Sequence, residues 1–321
     1  MRMPRARRPL ALALAALACA GVVPLAACGT SASPGESGRP VVLATTTQLA
    51  DLARTIGGPD VTVHQVLQPN TDPHEFEPRP SDVTAAADAK LILTSGLGLD
   101  AWADELKRQS GTTAPLVDVG ATVPVQLAGS GEEAGKTDPH WWHDSTNVVA
   151  ATATIERALI SADPGDKASI VARSRAYRAR VRALDAAMRA CFDAVPRSQR
   201  KVVTDHDAFA YLLRRYGITY VGAAIPSQST RAQASAGALA ALERTIRRER
   251  VKAVFPESSV NKSLAQRIAR DTGASAQDVL YGDTLGPADG SAGTYIGMEQ
   301  TNTDALVRGM TGGRRGCRFP Q

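Results

Sequence analysis

PGDKASIVARSRAYRARVRALDAAMRACFDAVP, residues 164–196, carries apolar or small residues at steps of four and three: Ile170, Ser174, Tyr177, Val181, Leu184, Met188 and Cys191. That spacing puts all seven on one stripe of an α-helix. Six arginines between Arg173 and Arg189 fall at other positions and read as its solvated side. Asp163 can cap the helix, and Pro164 suits its first turn, where a missing N–H costs nothing. At 1.5 Å per residue the segment 163–196 is a rod of roughly 50 Å, enough to run the length of a domain.

On both sides of this rod, short β-branched or leucine-rich runs alternate with stretches of helical spacing. The runs are VVLATTT from Val41, VTVHQVL from Val61, KLILTS from Lys90, PLVDVG from Pro115, KVVTD from Lys201, ITYVGA from Ile218 and VKAVFPE from Val251. Such alternation is the pattern of an α/β fold. The reading is two α/β lobes with central sheets, residues 40–162 and 197–321, joined by the long rigid helix at 163–196. No repeat of fixed period occurs. Residues 125–138, with QLAGSGEEAGKT at their heart, form a polar loop.

The first 27 residues stand outside the fold. Arg2, Arg5, Arg7 and Arg8 precede the apolar run LALALAALACAGVVPLAAC, the order of an export signal. Leu25-Ala26-Ala27-Cys28 has the form of a lipoprotein signal, so Cys28 is expected to be lipidated as the new N-terminus. Residues 28–39, Cys28 with GTSASPGESGR behind it, are mostly small and polar and suit a flexible tether. Arg7-Arg8 leaves twin-arginine and general export both open. The expected location is extracytoplasmic, with membrane contact through the lipid anchor only. Losing the four arginines lowers the formal net charge from +5 to +1, so the basic balance belongs to the signal and gives no case for nucleic acid. Of four cysteines, Cys191 and Cys317 remain after Cys19 and Cys28 are assigned, and in an oxidising compartment they are a candidate disulfide.

Five histidines occur: His64, His74, His140, His143 and His206. His64 alternates with valines inside a strand and reads as structural. Three others follow a strand or leave it beside Asp or Pro, in DPH at 72–74, DPH at 138–140 and TDH at 204–206. Loops converge at strand ends in open α/β sheets, so three imidazoles so placed can share one cation. Singly, each has an ordinary reading: a loop residue for His74, packing beside tryptophan for His140 or His143, and a helix start for His206.

Together with their surroundings these residues carry a resemblance. NTDPHEFEPRPSD, GLGLDAW, DPHWWHD, DHDAFAYLLRRYGI, FPESSVNKSLAQRIARDTGA, LYGDTLG and TYIGMEQTN, in this order, resemble the solute-binding lipoproteins of zinc and manganese ABC importers. The resemblance spans nearly all of the chain after the signal. It implies two α/β lobes joined by a single long helix, little domain closure, one metal between the lobes and delivery to an ABC permease by a monomer that is not an enzyme. Position by position, it implies the ligands His74, His140, His206 and Asp283. Glu257 in FPESS and His143 are possible auxiliary ligands. His143 stands where the family more often has an apolar residue, and Ser145 where it has proline. Manganese-preferring members tend to have glutamate at the position of His206, so three imidazoles and one carboxylate point to Zn²⁺, with Mn²⁺ as the alternative. Many zinc members also carry a histidine-rich loop. Here that loop is GSGEEAGK, in which only Glu132 and Glu133 could gather metal.

Two further expectations concern the partners of the ligands and the acidity of the site. A ligating imidazole usually donates its other nitrogen to a carboxylate or carbonyl, and Asp72, Asp138, Asp205 and Asp207 are candidates by adjacency. Neutral imidazoles are needed for binding, so affinity is expected to fall as pH drops below ~6.5. Two rival readings remain. A secreted zinc hydrolase would keep one coordination position open for water, and no HExxH occurs. Gly96-Leu97-Gly98-Leu99-Asp100-Ala101 satisfies G-x-G-x-x-A between a strand and a helix, with Asp118 ending a later strand, which is close to a dinucleotide fingerprint.

Overall fold

Each of the seven runs named above becomes a parallel strand. A computed structural model of the chain describes residues 38–129 and 133–319. Cys28 and most of the tether, and Glu132 of the polar loop, lie outside the described residues. In the first lobe β1 (Val41–Ala44), β2 (Thr62–Gln65), β3 (Leu91–Thr94) and β4 (Leu116–Asp118) form one sheet in the order β2-β1-β3-β4. Its register pairs Leu43 with His64 on one side and with Ile92 on the other. In the second lobe β5 (Lys201–His206), β6 (Thr219–Ile225) and β7 (Val254–Phe255) run in the order β6-β5-β7. Central strands of parallel sheets are covered on both faces. Val42, Leu43 and Ala44 of β1 and Val202 and Val203 of β5 are accordingly fully buried.

Parallel strands need crossovers, and the helices supply them. Helices α1 (Thr47–Gly57), α2 (Pro80–Asp88), α3 (Trp102–Ser110) and α4 (Ser145–Ala162) belong to the first half. Helices α6 (Ala210–Tyr216), α7 (Ala236–Glu249), α8 (Ser263–Thr272) and α9 (Tyr295–Thr311) belong to the second. Between them runs α5, Lys167–Asp193, 27 residues and about 40 Å long. Caps fix several starts. The Thr46 side chain accepts from Leu49 N–H at α1, Asp144 from Thr146 N–H at α4, and Thr294 from Gly297 N–H at α9. Among the described residues no helix is long and apolar enough to cross a membrane.

Helix α5 buries Ile170, Ser174, Tyr177, Val181, Leu184, Met188 and Phe192. The stripe is the expected one except at its end, where a last step of four reaches Phe192 and leaves Cys191 at the margin. Asp163 caps a 3₁₀ turn at Pro164–Asp166, accepting from Gly165 N–H, and α5 begins after it. The arginine side is less solvated than expected. Arg173 donates to the carbonyls of Ile56 at 2.8 Å and Gly57 at 2.7 Å, closing the C-terminal end of α1, and Arg178 pairs with Glu156 of α4 at 2.9 Å.

Helix α5 packs on α1, α4 and α9, so it touches both halves. One apolar cluster runs without interruption from Val42 and Leu93 through Trp141, Trp142, Tyr177 and Phe192 to Tyr211, Phe255 and Met310. Two outer clusters, around Leu43 and Ile92 and around Val203 and Val254, fill the far side of each sheet. A shared, close-packed core resists relative movement of the lobes, because parting them would expose apolar surface at about 25 cal/mol per Å².

Cys191, near the end of α5, meets Cys317 in the tail after α9, with Cα atoms 5.8 Å apart at a sequence separation of 126. That separation is within the span of a disulfide. Titration of the exported domain with a thiol reagent is expected to find neither cysteine before reduction and both after it. Reduction should then lower unfolding stability by about 2–4 kcal/mol. Two reactive thiols in the oxidised, folded protein would contradict the pairing.

Candidate metal centre

The two DPH motifs build the same local device. The Asp72 carboxylate accepts the His74 backbone N–H, and the Asp138 carboxylate accepts the His140 N–H, each at 2.9 Å. Asp side chains favour this turn, with proline between the two residues. It aims both imidazoles from the first half toward the same point. From the second half, His206 closes β5 and Asp283 follows the Leu280–Gly282 segment, which pairs back on Glu257.

The four side chains converge. One ligand atom from each of His74, His140, His206 and Asp283 lies within 4.8 Å of the other three. The imidazole centroids form a near-equilateral triangle with sides of 5.4, 5.4 and 5.7 Å. His140 Nε2 lies 3.3 Å and His74 Nε2 3.9 Å from Asp283 Oδ1, and His206 Nε2 is 3.5 Å from Oδ2. His140, His206 and Asp283 are fully buried; the His74 side chain is 8% exposed. It borders a cleft of about 710 Å³ lined also by Phe76, Glu77, Trp102 and Arg231. Glu133 lines that cleft too, with its carboxylate 2.7 Å from Lys136 Nζ.

The unused atoms show what the arrangement can hold. His206 Nε2 and Asp283 Oδ1 are buried and have no hydrogen-bond partner. Buried polar atoms are nearly always paired, so two unpaired ones turned toward the same point as the other ligand atoms fit a cation there. The outward nitrogens are occupied: His140 Nδ1 lies 2.7 Å from Asp138 Oδ1, and His206 Nδ1 lies 3.0 Å from Glu257 Oε1. Carboxylates there keep the proton on Nδ1 and direct Nε2 inward, the usual support of a ligating imidazole.

The charges in the cluster are tightly linked. Burial alone would lower the His140 pKa, but Asp138 and Asp283 outweigh it and push it up to about 9. His206 is likewise raised well above its ordinary value, Glu257 and Asp283 outweighing burial. Burial dominates at His74 and, with the two neighbouring imidazoles, lowers it to about 3. Asp283 is held well below the usual carboxylate range, because the three histidines outweigh its burial.

The remaining candidates fall outside the quartet. His64 sits in β2, half-buried, as expected of a structural residue. His143, expected as a possible auxiliary ligand, has both nitrogens engaged, with Glu299 Oε1 at 2.8 Å and the Gly282 carbonyl at 3.1 Å, and turns away from the cluster. Glu257 is a partner of His206 rather than a member of the quartet, accepting from both its backbone N–H and its ring. Of the four adjacent aspartates, only Asp138 meets a ligand ring. Asp72 holds a backbone N–H, and Asp205 accepts from Glu257 N–H at 2.7 Å. Glu299 lies in the TYIGMEQTN motif, but its role had no signal in the sequence, because its partner is 156 positions away. The glycine-rich turn is also resolved. The Asp100 carboxylate accepts the N–H groups of Ser95 and Gly96 and the Thr45 hydroxyl, so the donors that would cradle a pyrophosphate are already taken. Gly96 is needed for its φ of 75° and because a Cβ there would overlap the Asp118 carboxylate.

Residues 42–309 match the sequence model of the family described as zinc-uptake complex component A, periplasmic. The chain belongs to this family. The metal ABC transporter substrate-binding lipoprotein FimA of Streptococcus parasanguinis is 28% identical over 89% of this chain and 94% of its own. The manganese-binding lipoprotein MntA of Halalkalibacterium halodurans is 30% identical over 82% of this chain and 86% of its own. The periplasmic zinc-binding protein TroA of Treponema pallidum superposes with a TM-score of 0.78 at 30% identity, covering 85% of this chain and 99% of TroA. By name FimA is the substrate-binding lipoprotein of a metal ABC transporter and MntA and TroA bind metals, so the relatives point to metal binding rather than to hydrolysis.

Proposed function

We propose that this chain captures Zn²⁺ outside the cytoplasm through His74, His140, His206 and Asp283 and delivers it to an ABC permease. The observation that carries the reading is the convergence of three imidazole nitrogens and one carboxylate within 4.8 Å, in a pocket built by both lobes. Three nitrogens and one oxygen in a closed set of four suit tetrahedral zinc, whereas Mn²⁺ prefers more oxygens and a higher coordination number. FimA and MntA are lipoproteins, in keeping with Cys28 as a lipidated anchor and the following residues as its tether. The working form is a monomer on that anchor.

The manganese-binding relative supports a second reading, that Mn²⁺ is the cargo. His206 decides between them, because it is the ligand whose replacement by carboxylate would harden the site. Competition of Zn²⁺ and Mn²⁺ for the protein and for His206→Glu, read by native mass spectrometry, tests the zinc assignment. Wild type is expected to exclude manganese, and the variant to shift preference toward it by about 10-fold or more, a difference of some 1.4 kcal/mol. An unchanged ratio would remove the argument from ligand hardness.

A further inference from the structure

The contacts of His143 and α9 give a role to residues outside the quartet. The Gly282 carbonyl immediately precedes the Asp283 ligand and accepts two N–H groups, Trp142 Nε1 at 2.9 Å and His143 Nε2 at 3.1 Å. A carbonyl oxygen has two lone pairs, so both are filled and the peptide plane entering Asp283 is fixed. His143 is held in turn by Glu299 on α9, at 2.8 Å from Nδ1. One turn along the same helix, Asn302 Oδ1 accepts the Tyr281 N–H and Nδ2 donates to the Tyr281 carbonyl, both at 2.8 Å. Residues three apart share a helix face, so α9 grips Tyr281 directly and Gly282 through His143. His143, Glu299 and Asn302 are at most 1% exposed. On the far side, Gln48 Nε2 donates to the Asp283 carbonyl at 2.9 Å. Gly282 admits no side chain, because a Cβ there would run into the Glu257 carboxylate that orients His206.

We infer that Glu299 and His143, with Asn302, are positioning residues that preset the Asp283 carboxylate and thereby restrict the coordination number and metal preference of the site. The inference rests on the proposed ligand set. A carboxylate on a loosely held loop can turn to bind through both oxygens and admit further ligands, as ions of higher coordination number require. A carboxylate whose preceding peptide is clamped by two side chains, with Asn302 holding the residue before that peptide, presents one orientation, the arrangement that supports a four-coordinate ion. Neither Glu299 nor Asn302 touches the metal position; each acts through the backbone of residues 281–282.

The test uses the whole exported chain, with Zn²⁺ for affinity and Co²⁺ as a spectroscopic probe of coordination number. His143→Leu and Glu299→Leu are compared with wild type, His143→Gln and Asp283→Ala. His143→Leu is expected to weaken zinc about 10- to 100-fold, the usual effect of losing a ligand's supporting partner. It should also lower the cobalt visible bands toward the weak absorption of higher coordination and move Zn/Mn competition toward manganese. His143→Gln, whose amide N–H can still reach the Gly282 carbonyl, should restore the cobalt spectrum. A purely structural role would change melting of the metal-free protein and leave that spectrum alone. If His143→Leu does not fold, Glu299→Leu, which removes the hydrogen-bond partner of His143 Nδ1 and supplies no other, carries the same comparison. Wild-type affinity and cobalt spectrum in the foldable variants, with binding lost in Asp283→Ala, would overturn the inference alone. Unchanged binding in Asp283→Ala would instead overturn the ligand set on which it rests.

Discussion

Asp283→Ala is expected to weaken zinc binding by about 100-fold or more, beyond the 10- to 100-fold typical for loss of a supporting residue. The carboxylate is the one anionic ligand, and it lies within 4 Å of a ring nitrogen of each of the three histidines. The consequence is visible in melting. With zinc near 1,000 times the wild-type Kd, binding adds roughly 4.1 kcal/mol to the stability of the native protein, and a 100-fold loss reduces this to about 1.4 kcal/mol. For a chain of this size the zinc-dependent rise in Tm should fall from roughly 8–16 °C to about 3–6 °C. The comparison is between increments with and without metal, so a change in stability of the metal-free variant does not enter. An Asp283→Ala increment equal to that of wild type would remove the aspartate from the site.

The second large effect is of pH, and the structure moves its window upward from the ~6.5 expected of free histidine. In the metal-free protein the His140 imidazole is protonated up to about 9, and His206 is also raised, while His74 is neutral down to about 3. Zinc must displace a proton from each of the two raised imidazoles, and Asp283 is already ionised. Apparent affinity should rise about 100-fold per pH unit across pH 6–8, with about two protons released per zinc. The charged imidazoles stabilise the metal-free protein below the unfolded pKa of about 6.5, and this contribution is lost as pH rises through the folded value near 9 at His140. The gap in Tm between zinc-bound and zinc-free protein therefore widens as pH rises. Calorimetric titration in two buffers of different ionisation enthalpy measures the proton count; a pH-independent affinity with no proton released would contradict the assignment.

Much of the architecture was legible because it follows from periodicity. The buried stripe of α5 is given by steps of four and three, and the strands by β-branched or leucine-rich runs that alternate with stretches of helical spacing. The last position of the stripe was misplaced by one residue, Phe192 for Cys191, because steps of three and four are equally admissible where a helix ends. Strand order, with β1 inside one sheet and β5 inside the other, was not legible, since it depends on which crossover lies on which face. At the centre, the three histidines could be grouped by their common setting, yet Asp283 reads alone as a turn residue and entered only through resemblance. The supports were least legible of all. Asp138 to His140 is a contact two positions long, whereas Glu257 to His206 and Glu299 to His143 join segments 51 and 156 positions apart. His143 illustrates the cost of that blindness: beside a ligand in sequence it resembles a ligand, and only its distant carboxylate reveals a brace.

Zinc K-edge X-ray absorption of the one-to-one complex tests the central claim most directly. The account predicts a single shell of four light donors at about 2.0–2.1 Å, with the multiple scattering of three imidazoles and one remaining oxygen. A shell with fewer than three imidazoles, or with sulfur, would contradict it.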